Sequence, residues 1–428
     1  MSALRIGIAG LGTVGAGVLK LLRSHRSLIA ARAGRPIEVI AVSSRTRPRS
    51  VSLDGIAWHD DALQMARRPD LDVVVELIGG RGGVARRLCE AALGRGRAVV
   101  TANKALIAHS GARLARLAER QGAPLRFEAA VAGGIPIVKA FREGLAANRF
   151  RRVYGILNGT SNFILSRMSS SGQNFAAVLE DARRLGYAEA DPRLDIEGID
   201  AAHKLAILSS LAFNCPIDFA SVHVEGIRHV SAVDVAYAEE FGYRIKLLAI
   251  AELDPQGLKQ RVHPCMVPVE APIAHVDGVM NAVVVEGDFV GPVVFEGQGA
   301  GAGPTASAVV ADLIDLAAGR SASTFGVAAT KLKATKHVTM RRHVGRYYVR
   351  LWVWDRPGVI AAISAVLRDF RISIESLVQR GRAETGAGVP VVLITHEAKE
   401  SALINALARI KRLKCVVQAP CMIRIEPL

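Results

Sequence analysis

Asp200 and Lys204 stand four residues apart in a stretch that continues Leu205-Ala206-Ile207-Leu208 and reaches Leu211. Residues at that spacing share one face of a helix. A surface ion pair is the ordinary reading of the spacing, but a helix apolar nearly all round argues for burial. A lysine in such a place loses part of its hydration and becomes tunable as a proton donor or acceptor. His203, its neighbour in sequence, points elsewhere and reads as structural. Just upstream, Leu185-Gly-Tyr187-Ala-Glu189-Ala-Asp191-Pro192-Arg193-Leu-Asp195 gathers further carboxylates. Each of these could also cap a helix or pair with Arg193. A second lysine closes Thr101-Ala-Asn103-Lys104, where a strand ends and a helix begins. Ligands of open α/β sheets collect beyond the carboxyl ends of strands, although a plain solvated lysine is the competing reading.

The other chemical signal is Gly10-Leu-Gly12-Thr13-Val14-Gly15, between an apolar strand and a helix. In that context the first glycine permits a tight turn and the second lets backbone approach a pyrophosphate. The third allows close helix–strand packing. The anion would rest on the unpaired N–H groups opening the helix. Cofactor choice is read at the end of the second strand, where an acid would take the ribose hydroxyls of NAD. Here Ser43-Ser-Arg45-Thr-Arg47 has no acid, and the planar fork of Arg45 could pair with a 2′-phosphate. The expectation is NADP, with NAD possible; an exposed basic loop is the simpler alternative.

These groups need a scaffold, and hydrophobic periodicity supplies one. Leu4–Ala9, Ile37–Val42, Leu71–Ile78, Ala98–Thr101 and Leu125–Glu128 read as strands, with helices at Thr13–Ser24 and Leu106–Gln121. That alternation predicts an α/β domain with a doubly wound parallel sheet. From about Val131 the pattern changes to α+β, with strands at Val153–Leu157 and Val283–Val285 and helices at Phe175–Leu185 and Gly198–Phe213. A glycine-rich hinge, Gly297 to Pro304, precedes the helix Ala306–Leu316. A basic stretch over 331–346 reads as an exposed linker. Beyond it, strands at Tyr347–Trp354, Ile372–Gln379, Val389–Thr395 and Val416–Ile423, with helices at Pro357–Phe370 and Ser401–Ile410, give a ferredoxin-like βαββαβ order.

Composition bounds the rest. Half of the 428 residues are hydrophobic and 22% are charged, which excludes a disordered chain. The net charge of +16 comes largely from scattered arginines, and aromatic residues are only 5%. No basic block stands beside a stacking platform, so neither nucleic acid nor a membrane is the expected partner. Five cysteines without a CxxC indicate neither a disulfide framework nor a zinc site. Five glycines break the apolar run Ile6–Leu22, and no segment reaches 18 clean apolar residues, so a cytoplasmic chain is expected.

Taken in order, Gly10–Gly15, Thr101–Lys104, Asn158-Gly159-Thr160, Leu185–Pro192, Asp200–Lys204 and Gly299–Ser307 resemble homoserine dehydrogenase. Asp355-Arg-Pro357-Gly358 and Ile372-Ser-Ile-Glu-Ser376 resemble an ACT regulatory domain. The resemblance implies a Rossmann-type dinucleotide-binding domain over 1–132, with 304–330 returning to it. It further implies a substrate-binding and dimerisation domain over 133–303, a linker over 331–346 and an ACT domain over 347–428.

The implied reaction is reversible reduction of L-aspartate 4-semialdehyde to L-homoserine by NAD(P)H. It implies Lys204 as proton donor, Lys104 orienting substrate and cofactor, and Asp195 and Asp200 holding substrate and the catalytic lysine. Glu189 would take the substrate ammonium, with Gly159, Thr160 and Tyr187 beside it. The cofactor set becomes Gly10, Gly12, Thr13, Val14, Gly15, Arg45, Thr101, Lys104, Gly133 and Gly134. A sodium ion is implied at Glu128 and the backbone oxygens of Val131, Gly133 and Ile135. The resemblance also implies a homodimer or homotetramer, with an amino-acid effector at the ACT domain. Arg371 departs from the asparagine that such ACT domains often carry before Ile-Ser-Ile. Another Rossmann dehydrogenase of amino acids or aldehydes, and an ACT-type amino-acid sensor, are the alternative readings.

Overall fold

In a computed structural model of the chain, residues 2–47, 52–380 and 388–428 are described. Six parallel strands form the first sheet: β1 (Leu4–Ala9), β2 (Ile37–Ser43), β3 (Ala57–His59), β4 (Val73–Glu76), β5 (Ala98–Thr101) and β6 (Leu125–Arg126). Their order is β3-β2-β1-β4-β5-β6, so the strand order reverses between β1 and β4. That crevice is where a doubly wound sheet binds its ligand. Val73, Val74 and Val75 are buried on both faces, as a strand covered by helices on both sides requires. The helix Ala302–Ala317 returns to this domain, burying Ala306, Val309, Val310 and Leu313 against Val18, Leu19 and Leu22.

The middle domain contributes β7 (Phe150–Ile156), β8 (His223–Val224), β9 (Tyr243–Asp254), β10 (Gly257–Pro268), β11 (Met280–Gly287) and β12 (Gly291–Gln298). The C-terminal unit contributes β13 (Val344–Val353), β14 (Ile374–Gln379), β15 (Val389–Thr395), β16 (Ala398–Lys399) and β17 (Cys421–Ile425). Its order β17-β13-β15-β14 is the expected ferredoxin-like arrangement, with helices Val359–Asp369 and Glu400–Ile410. The two units are not separated by a free linker, however. Strand β17 pairs with β10 at Cys265–Arg424 and Met266–Ile425, which joins both sheets along β12-β11-β7-β9-β10-β17-β13-β15-β14.

The expected linker is also pinned. Lys333 N–H bonds to Asn214 O at 3.0 Å, Leu258 N–H to Lys336 O at 2.8 Å and Val338 N–H to Leu258 O at 2.9 Å. An unpaired strand edge leaves buried backbone groups without partners, and both the linker and β17 answer that need. The long hairpin β9–β10 carries no clean alternation in sequence, because Lys246, Gln260, Arg261 and His263 are buried within it.

Candidate active site

The long helix Ile199–Phe213 buries every residue from Asp200 to Ala212. Gly198, at φ 79°, opens it with Val224 and Val262 packed close behind. Asp200 therefore enters the interior at the first turn, with its side chain only 6% exposed, and both lysines converge on it. Lys204 Nζ lies 2.8 Å from Asp200 Oδ2, and Lys104 Nζ lies 2.7 Å from Oδ1. Lys204 is 8% exposed and donates its other contact to Leu157 O at 2.5 Å. Lys104, at the start of helix Lys104–Arg120, is 44% exposed and opens onto the cleft.

The electrostatics follow from this placement. Burial raises the cost of an ionised Asp200, but the two ammonium groups outweigh it and hold the carboxyl below its usual range. Burial pushes Lys204 below the ordinary lysine value, partly offset by Asp200. The Asp200 charge instead lifts Lys104 above that value. One aspartate thus serves a lysine that gives up its proton more easily and a second that keeps it.

Asn158 ties the carboxylates together. It caps the helix Gly159–Ser171 by accepting from Ser161 N–H, while its Nδ2 donates to Asp195 Oδ1 at 2.8 Å and Asp200 Oδ2 at 3.0 Å. Burial raises the Asp195 carboxyl above its normal value. Thr160 Oγ1 donates to Tyr187 O at 2.7 Å, and the Tyr187 ring packs on Phe163. Gly159 has no room for a side chain, since a Cβ would lie 2.6 Å from Val279 O.

A cleft of about 620 Å³ joins Lys104, Glu189, Asp191, Asp195 and Asp200 with Gly79, Gly80 and Arg81. His203 lies on its wall rather than away from it, stacked on Phe219 at 4.5 Å with Nε2 3.3 Å from His109 Nε2. Arg81, His109 and Phe219 are lining residues that sequence pattern did not reveal. Only the glycines around Arg81 carried a readable signal.

A second cleft, about 470 Å³, lies over the glycine turn and is lined by Gly10, Leu11, Gly12, Ser43, Ser44, Arg45, Thr46, Asp60 and Asp61. Gly10 adopts φ 102°, and a Cβ there would lie 2.4 Å from Leu77 O. At Gly15 a Cβ would lie 2.0 Å from Gly10 O, whereas nothing lies within 4 Å of one at Gly12. No side chain caps the helix Thr13–Ser24, whose first N–H groups, around Val14, are left for an anion. Thr101 is fully buried and donates to Glu76 Oε2 at 2.6 Å, so its hydroxyl braces the strand ends instead of facing the cleft. Asp60 and Asp61 supply carboxylates near Arg45 that the end of β2 lacks.

Glu128 is buried where the first domain meets the second. Its carboxylate accepts from Val138 N–H at 2.9 Å and Lys139 N–H at 2.8 Å, with Arg142 Nη2 3.9 Å away. Burial and the neighbouring Asp312 raise it to about 7. Asp312 Oδ1 is buried without a hydrogen-bond partner among the described residues. Val131 and Ile135 are buried close by, and Gly133 (φ 38°) and Gly134 lie against Gly299 and Gln298.

The family models that match are homoserine dehydrogenase over residues 136–314, its NAD-binding domain over 10–128 and the ACT domain over 347–412. Homoserine dehydrogenase of Neisseria gonorrhoeae is 44% identical over the whole of both chains. This chain belongs to the homoserine dehydrogenase family. The crystal structure of a homoserine dehydrogenase from Thiobacillus denitrificans superposes with a TM-score of 0.93 at 46% identity, covering 100% of this chain and 99% of the other. A hyperthermophilic archaeal homoserine dehydrogenase in complex with NADPH matches 76% of this chain and all of its own at TM-score 0.65 and 26% identity. The chain is therefore an NAD(P)-dependent oxidoreductase acting on a CH–OH group, of the homoserine dehydrogenase type. Among the described residues no helix is long and apolar enough to cross a membrane.

Proposed function

We propose that Lys204 is the proton donor when L-aspartate 4-semialdehyde is reduced and the base when L-homoserine is oxidised. The observation that carries this reading is Asp200 held between Lys204 and Lys104 at 2.8 and 2.7 Å on the wall of the substrate cleft. The nicotinamide, when bound, supplies or accepts the hydride. As hydride reaches the aldehyde carbon, negative charge develops on its oxygen, and an ammonium beside it supplies both charge and proton. Burial makes Lys204 the readier donor, while Lys104, held charged by Asp200, steadies the oxygen and orients the substrate. Asn158 fixes Asp200 and holds Asp195 beside it, and Glu189 takes the substrate ammonium beside Gly159, Thr160 and Tyr187.

NADP is the preferred nucleotide in this reading, with Arg45 and the Ser43–Ser44 hydroxyls toward the 2′-phosphate. The NADPH complex of the archaeal relative supports it. Comparable kcat/KM values for NADPH and NADH would reject it. A monovalent cation, sodium by preference, is held by Glu128 with backbone oxygens of Val131, Gly133 and Ile135. The partnerless oxygen of Asp312, whose other oxygen accepts from Glu128 N–H, supports a positive charge beside Glu128. Equal Tm values in sodium and choline chloride at one ionic strength would reject it.

The chain assembles as a homodimer or homotetramer through the middle domain. The exposed Phe289, Val290 and Val294 on the hairpin β11–β12 support this, and a monomeric mass by light scattering would exclude it. An amino-acid effector binds the ACT domain, a reading supported by the match of residues 347–412 to that domain, and equilibrium dialysis with threonine and its relatives tests it. The decisive assay for the site is NADP reduction with L-homoserine, L-serine and malate. Turnover of homoserine no faster than of the others would favour a different dehydrogenase.

A further inference from the structure

The substrate cleft holds more carboxylate than it needs and, at first sight, too little free positive charge. Asp191 is paired with Arg193, Asp195 with Asn158, and Asp200 with both lysines. Among the described residues, two charged side chains lining the cleft have no hydrogen-bonding or ionic partner. They are Glu189, an anion, and Arg81, a cation. A zwitterionic α-amino acid presents one group of each sign, and Lys104 and Lys204 already face Asp200 when its carboxylate arrives.

The backbone around Arg81 is built differently from the rest of the cleft. It sits in Gly79-Gly80-Arg81-Gly82-Gly83, where Gly79, Gly80 and Gly83 have φ of 85°, 84° and 61°. A Cβ at any of these four glycines would meet nothing within 4 Å, so they serve backbone freedom and not tight packing. The base of the loop is fixed. Glu76 Oε1 accepts from Ile78 N–H at 2.8 Å and Gly79 N–H at 3.1 Å, and Asn103 Nδ2 donates to Gly80 O at 2.8 Å. The loop also divides the two clefts, with Leu77, Ile78 and Val84 lining the nucleotide side and Gly79 to Arg81 the substrate side. Arg81 is thus an exposed guanidinium on a short free arm next to a fixed anchor.

We infer that Arg81 is the residue that selects an α-carboxylate, closing on it while Glu189 takes the α-ammonium. The fork of an arginine matches a carboxylate with two parallel hydrogen bonds, and a charge-assisted pair of that kind adds geometry as well as affinity. The inference rests on the substrate reading above and adds to it the group that recognises the acid end. Its ligand class is an α-amino acid as opposed to an amino alcohol or a simple aldehyde.

The test compares L-homoserine with 3-amino-1-propanol, which is homoserine without its carboxylate, in wild type and Arg81→Ala, with Arg81→Lys as the conservative variant. Arg81→Ala is expected to raise KM for homoserine about 10- to 100-fold. The wild-type ratio of kcat/KM for homoserine over the amino alcohol should collapse by the same factor. The NADP dissociation constant, by fluorescence titration, should move less than twofold, and Arg81→Lys should recover part of the loss. An unchanged homoserine KM, an equal loss on both substrates, or a loss located in NADP affinity would each overturn the assignment. Wild-type protein inert toward homoserine would instead defeat the reading of the activity itself, so the two failures are distinguishable.

Discussion

One cluster of buried charge lies in the substrate cleft and another at the seam between the middle domain and the ACT domain. At the seam the cations are arginines. Arg424 is bidentate to Glu400 and to Glu225, Arg261 contacts both oxygens of Glu426, and Arg350 contacts both oxygens of Asp234. In the cleft they are lysines, two of them sharing one aspartate, with a backbone carbonyl completing the surroundings of Lys204. Arginine stays charged and its planar fork fixes geometry, whereas a buried lysine can lose its proton. The same interior environment therefore gives a clamp in one place and an acid/base in the other.

Removing the proton carrier should have the largest effect. Lys204→Ala should lower kcat by about 10³- to 10⁴-fold, the range for losing general acid–base catalysis. NADP binding should stay within twofold, because the helix Ile199–Phe213 does not line the nucleotide cleft. Near wild-type kcat in single-turnover and steady-state assays would move the acid/base to Lys104.

Next comes the clamp. Arg424→Met leaves Glu400 buried without its partner, and breaking a buried pair costs about 3 to 5 kcal/mol. Glu225 is partly open to solvent, so the lower end, about 3 kcal/mol, is expected. Scanning calorimetry should show Tm falling by several degrees while kcat at 25 °C changes less than fivefold. A folded variant that lost activity as badly as Lys204→Ala would erase the division between clamp and catalyst.

How much of this was readable beforehand follows the same divide. The glycine turn was legible residue by residue, because Gly10, Gly12 and Gly15 answer local backbone demands that sequence expresses directly. Asp200 and Lys204 were legible because the apolar residues after them announce burial. The seam was not: Arg424 meets Glu225 across 199 residues, and nothing local marks Arg424 as buried. The hairpin β9–β10 escaped for a related reason, since two of the polar residues that break its pattern pair with distant groups, Lys246 with Asp277 and Arg261 with Glu426. His109 and Phe219 reach the cleft through tertiary packing alone, and His203 was misplaced because its ring stacks on Phe219 at the cleft wall.

A smaller effect sharpens the catalytic side. Lys204 must be neutral to accept a proton from homoserine, so kcat/KM for oxidation should rise with pH and level off below the ordinary lysine value of 10.5. Asp200 raises the Lys204 value, so removing its charge lowers it further. Asp200→Asn should therefore shift the inflection to lower pH. In the reducing direction the same variant should lose rate at a lower pH than wild type. An inflection that stayed in place, or moved up, would separate Asp200 from the titrating group.

The smallest effect concerns a cation that the comparison predicts to be dispensable. Arg371 is exposed and holds φ 56°, a left-handed conformation that costs most side chains about 1 to 2 kcal/mol. The turn is real and locally bonded, with Arg371 N–H to Arg368 O at 2.9 Å and Ile372 N–H to Leu367 O at 2.9 Å. Its guanidinium makes no hydrogen bond or ion pair among the described residues, unlike those of Arg350 and Arg424. Asparagine tolerates this region better, since its short polar side chain bonds locally. Arg371→Asn should therefore stabilise the protein by about 0.5 to 1 kcal/mol. A lower Tm for this variant would mean that the Arg371 charge itself has a role, and that charge at the ACT domain's surface cannot be weighed by its visible partners alone.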